Sequence, residues 1–138
     1  MSKDLYTARV AVTGGRNGSA SSDDGRLAVG LALPEALGGS GEGTNPEQLF
    51  AAGFAGCFTS SLKHAASQLK ARPDAIAVDA EVVLTLSDDG RYGLRVTLRP
   101  GLSGISPDLA GQVITEAERI CAYTNSTRGL VGLHIEPV

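Results

Sequence analysis

Apolar residues alternate with polar ones at Ile76, Val78, Ala80, Val82, Leu84 and Leu86, and again at Tyr92, Leu94, Val96 and Leu98, with Asp88-Asp89-Gly90 between the two runs. A period of two marks a strand with one buried face, and a short Asp/Gly turn joins two such strands as an antiparallel hairpin. Strands that follow one another without an intervening helix exclude a sheet built of repeated strand-helix-strand units. The N-terminal third reads the same way. Leu5 to Thr13 alternates loosely, and Gly14-Gly15-Arg16-Asn17-Gly18 has the composition of a hairpin connection to a second strand. Ser21-Ser22-Asp23-Asp24-Gly25 then turns into a third strand with Leu27, Val29, Leu31 and Leu33 on one face.

The period changes to that of a helix twice. Asn45 suits an N-cap, Pro46 the first helical position, Glu47 the positive end of the macrodipole and Gln48 the reciprocal capping-box position. The stripe Phe50, Phe54, Phe58, Leu62, Ala65 and Leu69 continues that helix until Arg72-Pro73 stops it. Ser106-Pro107-Asp108 repeats the cap, proline and acid pattern ahead of Leu109, Val113, Ala117, Ile120 and Cys121, and Leu130 to Glu136 reads as a last strand. The predicted order is βββ-α-ββ-α-β, an α+β fold with antiparallel sheet and two main helices. Its 138 residues form one domain, 1–138, without an internal repeat.

Charge narrows the partners. Twelve Lys and Arg against 15 Asp and Glu give a net charge of −3, without the clustered positive charge that a nucleic-acid backbone requires. Leu49 to Phe58, the longest largely apolar stretch, falls well short of the ~20 residues that cross a bilayer. Lys3, Asp4 and Arg9 interrupt the region where a secretory signal would be apolar, so the expectation is a cytoplasmic protein that binds neither nucleic acid nor membrane. Gly38, Gly39, Gly41 and Gly43 are not in dinucleotide-loop register, which argues against a nucleotide cofactor.

Chemistry then rests on two cysteines, Cys57 and Cys121, too far apart in sequence for a Cys-x-x-Cys motif. His64 follows Cys57 by two helical turns, roughly 10.5 Å of rise, too far to share one metal, and no metal site is expected. Read from spacing, Cys57 is either a small packed hydrophobe or a nucleophile. Its neighbours Gly53 and Gly56 each cost about 1 kcal/mol inside a helix, which points to close approach of another backbone.

The run Thr44-Asn45-Pro46-Glu47-Gln48-Leu49-Phe50-Ala51-Ala52-Gly53-Phe54-Ala55-Gly56-Cys57-Phe58, with Gly14-Gly15-Arg16-Asn17-Gly18 before it and Glu118-Arg119-Ile120-Cys121 after it, closely resembles the organic hydroperoxide resistance (Ohr) branch of the Ohr/OsmC family. The likeness spans essentially the whole chain. It implies an intertwined homodimer and a thiol-dependent peroxidase that reduces organic hydroperoxides to alcohols. By resemblance Cys57 matches the peroxidatic cysteine and Cys121 the resolving one, while Arg16 and Glu47 match the pair that activates the thiolate. No cofactor is implied to be bound; the resemblance implies an external dithiol, lipoyl groups on a lipoylated protein, as electron donor. The family commonly has Cys-Pro-Tyr-Ser where this chain has Cys121-Ala122-Tyr123-Thr124.

The physics of activation can be set beside the likeness. An ordinary thiol is only ~3% thiolate at pH 7, and burial lowers that fraction. Moving its pKa to about 6 takes ~3.4 kcal/mol, and one guanidinium ~4 Å away supplies ~4 kcal/mol at an effective dielectric of 20. Arg16 on a glycine-flanked tip has the charge and reach, and Glu47 can orient it through a bidentate pair. Glu47 precedes Cys57 by ~15 Å of straight helix, so the expectation is that two copies of the helix cross near Ala52 and Gly53, bringing Glu47 of one subunit towards Cys57 of the other. Two other functions compete: a cysteine hydrolase, which needs a histidine beside Cys57, and a non-enzymatic homodimeric ligand-binding module with packed cysteines.

Overall fold

The computed structural model describes residues 2–138, and the chain divides into two compact units, Met1–Leu49 and Phe50–Val138. In the first unit the turn chemistry yields the expected meander in shortened form. β1 (Val10–Thr13), β2 (Ser19–Ser22) and β3 (Ala28–Gly30) pair antiparallel in that order, with Thr13 opposite Ser19 and Ser19 opposite Gly30. The alternation that begins at Leu5 does not begin the strand. Leu5 and Tyr6 are 84% and 81% exposed, and among the described residues no strand pairs with residues 2–9, so their alternation has no ladder to join.

The third strand also stops early, at Gly30; Leu31 N–H still donates to Gly18 O at 2.8 Å, and Leu31 bridges Thr44 as well. Ala32 N–H donates to Thr44 O at 2.9 Å and Thr44 N–H to Gly30 O at 3.0 Å. That bridge anchors the residues preceding α1 (Pro46–Gln68). Asn45 caps the helix as expected, its Oδ1 accepting from Gln48 N–H at 2.8 Å. Gln48 does not reciprocate as in a full capping box, for its Oε1 accepts the Thr44 hydroxyl at 2.7 Å.

α1 ends before Arg72-Pro73. Lys70 adopts a left-handed conformation (φ 57°), Ala71 N–H reaches back to Ala66 O at 2.8 Å and Lys70 N–H to Ser67 O at 3.2 Å. These are the two bonds of a Schellman motif, formed here without the usual glycine. Phe54, Phe58, Leu62 and Ala65 are fully buried, whereas Leu69, past the end of the helix, is exposed.

In the second unit β4 (Ala75–Leu86) and β5 (Tyr92–Ser103) form the expected hairpin in continuous register from Ala75 opposite Ser103 to Leu86 opposite Tyr92. α2 (Pro107–Ile120) starts at the Ser106 cap, whose hydroxyl oxygen accepts from Leu109 N–H. β6 (Gly132–Ile135) runs parallel to β5, with Val96 opposite Leu133. A short helix absent from the sequence reading, α3 (Ala122–Thr127), follows α2 directly. The core of this unit joins Phe54, Phe58 and Leu62 of α1, Val96 and Leu98 of β5, and Val113 and Ala117 of α2 with Cys121. The architecture is the expected α+β arrangement, with one added helix and one parallel strand pair. No helix among the described residues is long and apolar enough to cross a membrane.

Candidate active site

Two pairs of side chains hold the four residues singled out in the sequence. The first lies in the N-terminal unit. Arg16 sits in a single helical turn, Gly15–Asn17, between β1 and β2. A Cβ on Gly18 would stand 1.7 Å from Thr13 O, so the turn closes this tightly only around glycine. Asn17 pins the turn from the other side, its Oδ1 accepting from Leu33 N–H at 3.1 Å. The guanidinium then meets Glu47, in the first turn of α1, through two parallel bonds: Nη1 to Oε2 at 2.9 Å and Nη2 to Oε1 at 2.6 Å. The Arg16 side chain is 37% exposed and that of Glu47 15%. Its hydrogen bonds with Arg16 hold the Glu47 carboxyl below the usual carboxylate range, against the opposing effect of burial.

The second pair lies in the C-terminal unit. Cys57, in the fourth turn of α1, brings its sulfur to 3.4 Å from that of Cys121, and both cysteines are free. Cys121 is fully buried and Cys57 partly so. Cys121 occupies the corner between α2 and α3, capping the end of one and the start of the other. A disulfide spans about 2.05 Å, so joining these sulfurs requires a closure of only about 1.4 Å. Burial pushes the Cys57 thiol above its ordinary value, and the neighbouring Cys121 adds to that. The backbone N–H groups of Tyr123 and Ala122 work in the opposite direction by hydrogen bonding to the Cys57 sulfur.

Tyr123 was not singled out in the sequence, yet it shapes this pair's surroundings. Its ring packs on Phe54 with centroids 5.3 Å apart and on Phe50 at 6.2 Å. Its phenol rests on Gly53, where a Cβ would fall 2.5 Å from the hydroxyl oxygen. The glycine expected to admit another backbone therefore admits a tyrosine side chain, while a Cβ on Gly56 would meet nothing within 4 Å in this chain. Phe50, Ala122, Tyr123, Ser126 and Thr127 line a cavity of about 300 Å³. Of the three phenylalanines, Phe54 and Phe58 belong wholly to the core, and Phe50 serves both core and cavity. His64 is exposed on α1, and His134 projects opposite to the partly buried Leu133 and Ile135. The aromatic step from Gly53 to Tyr123 could not be seen in the sequence, because nothing in the spacing pairs residues seventy positions apart.

The chain that carries the paired sulfurs and the paired Arg16 and Glu47 has identifiable relatives. Residues 39–135 match the sequence model of the OsmC-like protein family. A protein of Xanthomonas axonopodis pv. citri (strain 306) named organic hydroperoxide resistance protein is 42% identical over 129 residues, covering 92% of this chain and 90% of that one. The organic hydroperoxide resistance protein OhrB of Bacillus subtilis (strain 168) is 37% identical over 133 residues, 96% of this chain and 97% of that one. A crystal structure of an organic hydroperoxide resistance protein from Legionella pneumophila superposes with a TM-score of 0.94 at 38% identity, covering 98% of both chains. The match of the family model to most of the chain, and of these relatives to nearly all of it, place the protein in the OsmC-like family, in its organic hydroperoxide resistance branch.

Proposed function

We propose that the protein is a two-cysteine peroxidase that reduces organic hydroperoxides to alcohols and so protects against organic peroxide stress. The observation that carries this reading is the contact of two free sulfurs at 3.4 Å, one partly open to solvent and the other fully buried. In the first step the Cys57 thiolate attacks the outer oxygen of ROOH; an S–O bond forms, the O–O bond breaks, and the alkoxide leaves as ROH after taking a proton. The sulfenic acid then condenses with the Cys121 thiol, releasing water and forming an intramolecular disulfide. A dithiol of the lipoyl type, carried by a lipoylated protein, exchanges with that disulfide and restores both thiols.

Burial pushes the Cys57 thiol up and so disfavours the thiolate, and the first step needs a cation to favour it. Arg16, held in bidentate contact by Glu47, is the cation in this reading, acting on Cys57 of the other subunit of a homodimer. Self-association is supported by Leu5, Tyr6, Val10 and Val12, apolar side chains that the single chain leaves exposed in its N-terminal unit. The cavity walled by Phe50, Ala122 and Tyr123 adjoins the amides that face the Cys57 sulfur, and favours alkyl and lipid hydroperoxides over hydrogen peroxide, which gains little from apolar walls. Two free cysteines suit the reducing cytoplasm.

Steady-state turnover with dihydrolipoamide as reductant tests the reading. An alkyl hydroperoxide should turn over at least about tenfold faster than hydrogen peroxide at equal concentration, and Cys57→Ser should abolish turnover. Equal turnover of both oxidants would remove the substrate assignment, and full activity in Cys57→Ser would remove the peroxidase itself.

A further inference from the structure

Contact between two sulfurs does not by itself secure the second step, because a sulfenic acid that waits for its partner is open to a second hydroperoxide. Cys121 must be held in place. It sits in an extended corner (φ −68°, ψ 128°) where α2 ends and α3 begins, and a corner of that kind strips the last helical carbonyls of their usual N–H partners. Side chains of α3 replace them. Cys121 N–H still reaches Ala117 O at 2.9 Å, but Glu118 O accepts the Thr124 hydroxyl at 2.5 Å and Arg119 O accepts Asn125 Nδ2–H at 2.9 Å. The Thr124 hydroxyl is shared with Cys121 O at 3.0 Å, and Asn125 N–H donates to that same carbonyl at 3.0 Å. Thr124 is 1% exposed, and Ala122, next to Cys121, has no ring to fix its backbone.

We propose that Thr124, assisted by Asn125, is a positioning residue for disulfide formation: its buried hydroxyl fastens both sides of the Cys121 corner and keeps the two sulfurs in contact. The inference rests on the peroxidase reading and concerns only its second step. There the Cys121 sulfur attacks the sulfenic sulfur of Cys57, an S–S bond forms, the S–O bond breaks, and the hydroxyl leaves with the thiol proton as water. The competing event oxidises Cys57 further: the sulfenate attacks a second hydroperoxide, a new S–O bond forms, the O–O bond breaks, and sulfinic acid and alcohol result.

Thr124→Val keeps the shape of the side chain and removes the hydroxyl, while Thr124→Ser keeps the hydroxyl. Rapid-quench reactions with cumene hydroperoxide, trapped with dimedone and read by intact mass, separate sulfenic acid from disulfide. Thr124→Val should consume its first equivalent at the wild-type rate, form the disulfide about tenfold more slowly, and accumulate sulfinic acid under excess hydroperoxide. Thr124→Ser should restore disulfide formation. Wild-type resolution in Thr124→Val, or resolution as slow in Thr124→Ser as in Thr124→Val, overturns the proposal and leaves the peroxidase reading intact. Failure of the wild type to consume hydroperoxide overturns both. Should Thr124→Val not fold, Asn125→Ala, which removes an exposed cap, should slow disulfide formation about threefold with the first step unchanged; unslowed resolution there overturns the proposal equally.

Discussion

At the scale of single residues, the chemistry turns on two opposite perturbations. Burial raises the Cys57 thiol, with Cys121 adding to it, and the Arg16 guanidinium lowers the Glu47 carboxyl. The signs fix the pH behaviour. Glu47 has its folded-state pKa depressed, so the stability it gains from Arg16 is fully present above the ordinary carboxylate pKa and is lost only as pH falls through the lower folded value. Neutral and mildly acidic solutions leave the pair intact. In the peroxidase reading Cys57 reacts as thiolate, so its rate with hydroperoxide should rise with pH as the thiol ionises. Replacing Arg16 by Ala should move that titration to higher pH and, at neutral pH, slow the first step by roughly ten- to a hundredfold, the range expected for loss of one charge-assisted contact. Stopped-flow oxidation across pH measures both effects. An unmoved titration would mean that Arg16 does not charge the sulfur.

At the scale of elements, some joints of this fold are stronger than others, and the end of α1 is a weak one. Lys70 carries a left-handed backbone in a position where glycine is the usual occupant. Lys70→Gly should therefore raise stability by about 0.5 to 1 kcal/mol without altering peroxide turnover, as seen in a denaturant midpoint shift at constant slope. A loss of stability would show that the lysine side chain does more than tolerate the turn. The same element shows how far sequence could be read. The starts of α1 and α2 were legible because Asn45-Pro46 and Ser106-Pro107 are local signals, and the cap hydrogen bonds that form there are local as well. The end of α1 was not, because it is set by an unusual residue in the left-handed region and not by Pro73. The β4–β5 hairpin was legible from period and turn alone. β6 was recognisable as a strand, but its parallel pairing with β5 is a tertiary choice that no local pattern encodes. α3 was missed although Thr124 and Asn125 follow the last apolar position of α2 as hydroxyl and amide residues that cap helix ends. Both site pairs could be named because their motifs resemble a known family, yet the sulfur distance and the seat of Tyr123 on Gly53 required coordinates.

At the scale of the whole molecule, the account assigns the cation and the nucleophile to different subunits. That assignment makes a complementation experiment decisive. Homodimers of Cys57→Ser should be inactive and those of Arg16→Ala should keep only the residual rate given above, but refolding an equal mixture creates heterodimers in which one of the two sites joins an intact Arg16 to an intact Cys57. With half of the dimers mixed and one site working in each, about a quarter of wild-type activity should return. No recovery in a mixture shown by light scattering to be dimeric would place both groups within one chain.

The central claim, that Cys57 and Cys121 together give two electrons to each hydroperoxide, has a direct measurement. One equivalent of cumene hydroperoxide is added to the reduced protein, and intact mass and free thiols are read immediately. The account predicts a chain lighter by two hydrogens with both thiols lost together, and an unchanged chain when Cys57 is serine. Two thiols still free in the wild type, with the hydroperoxide unconsumed, would contradict it.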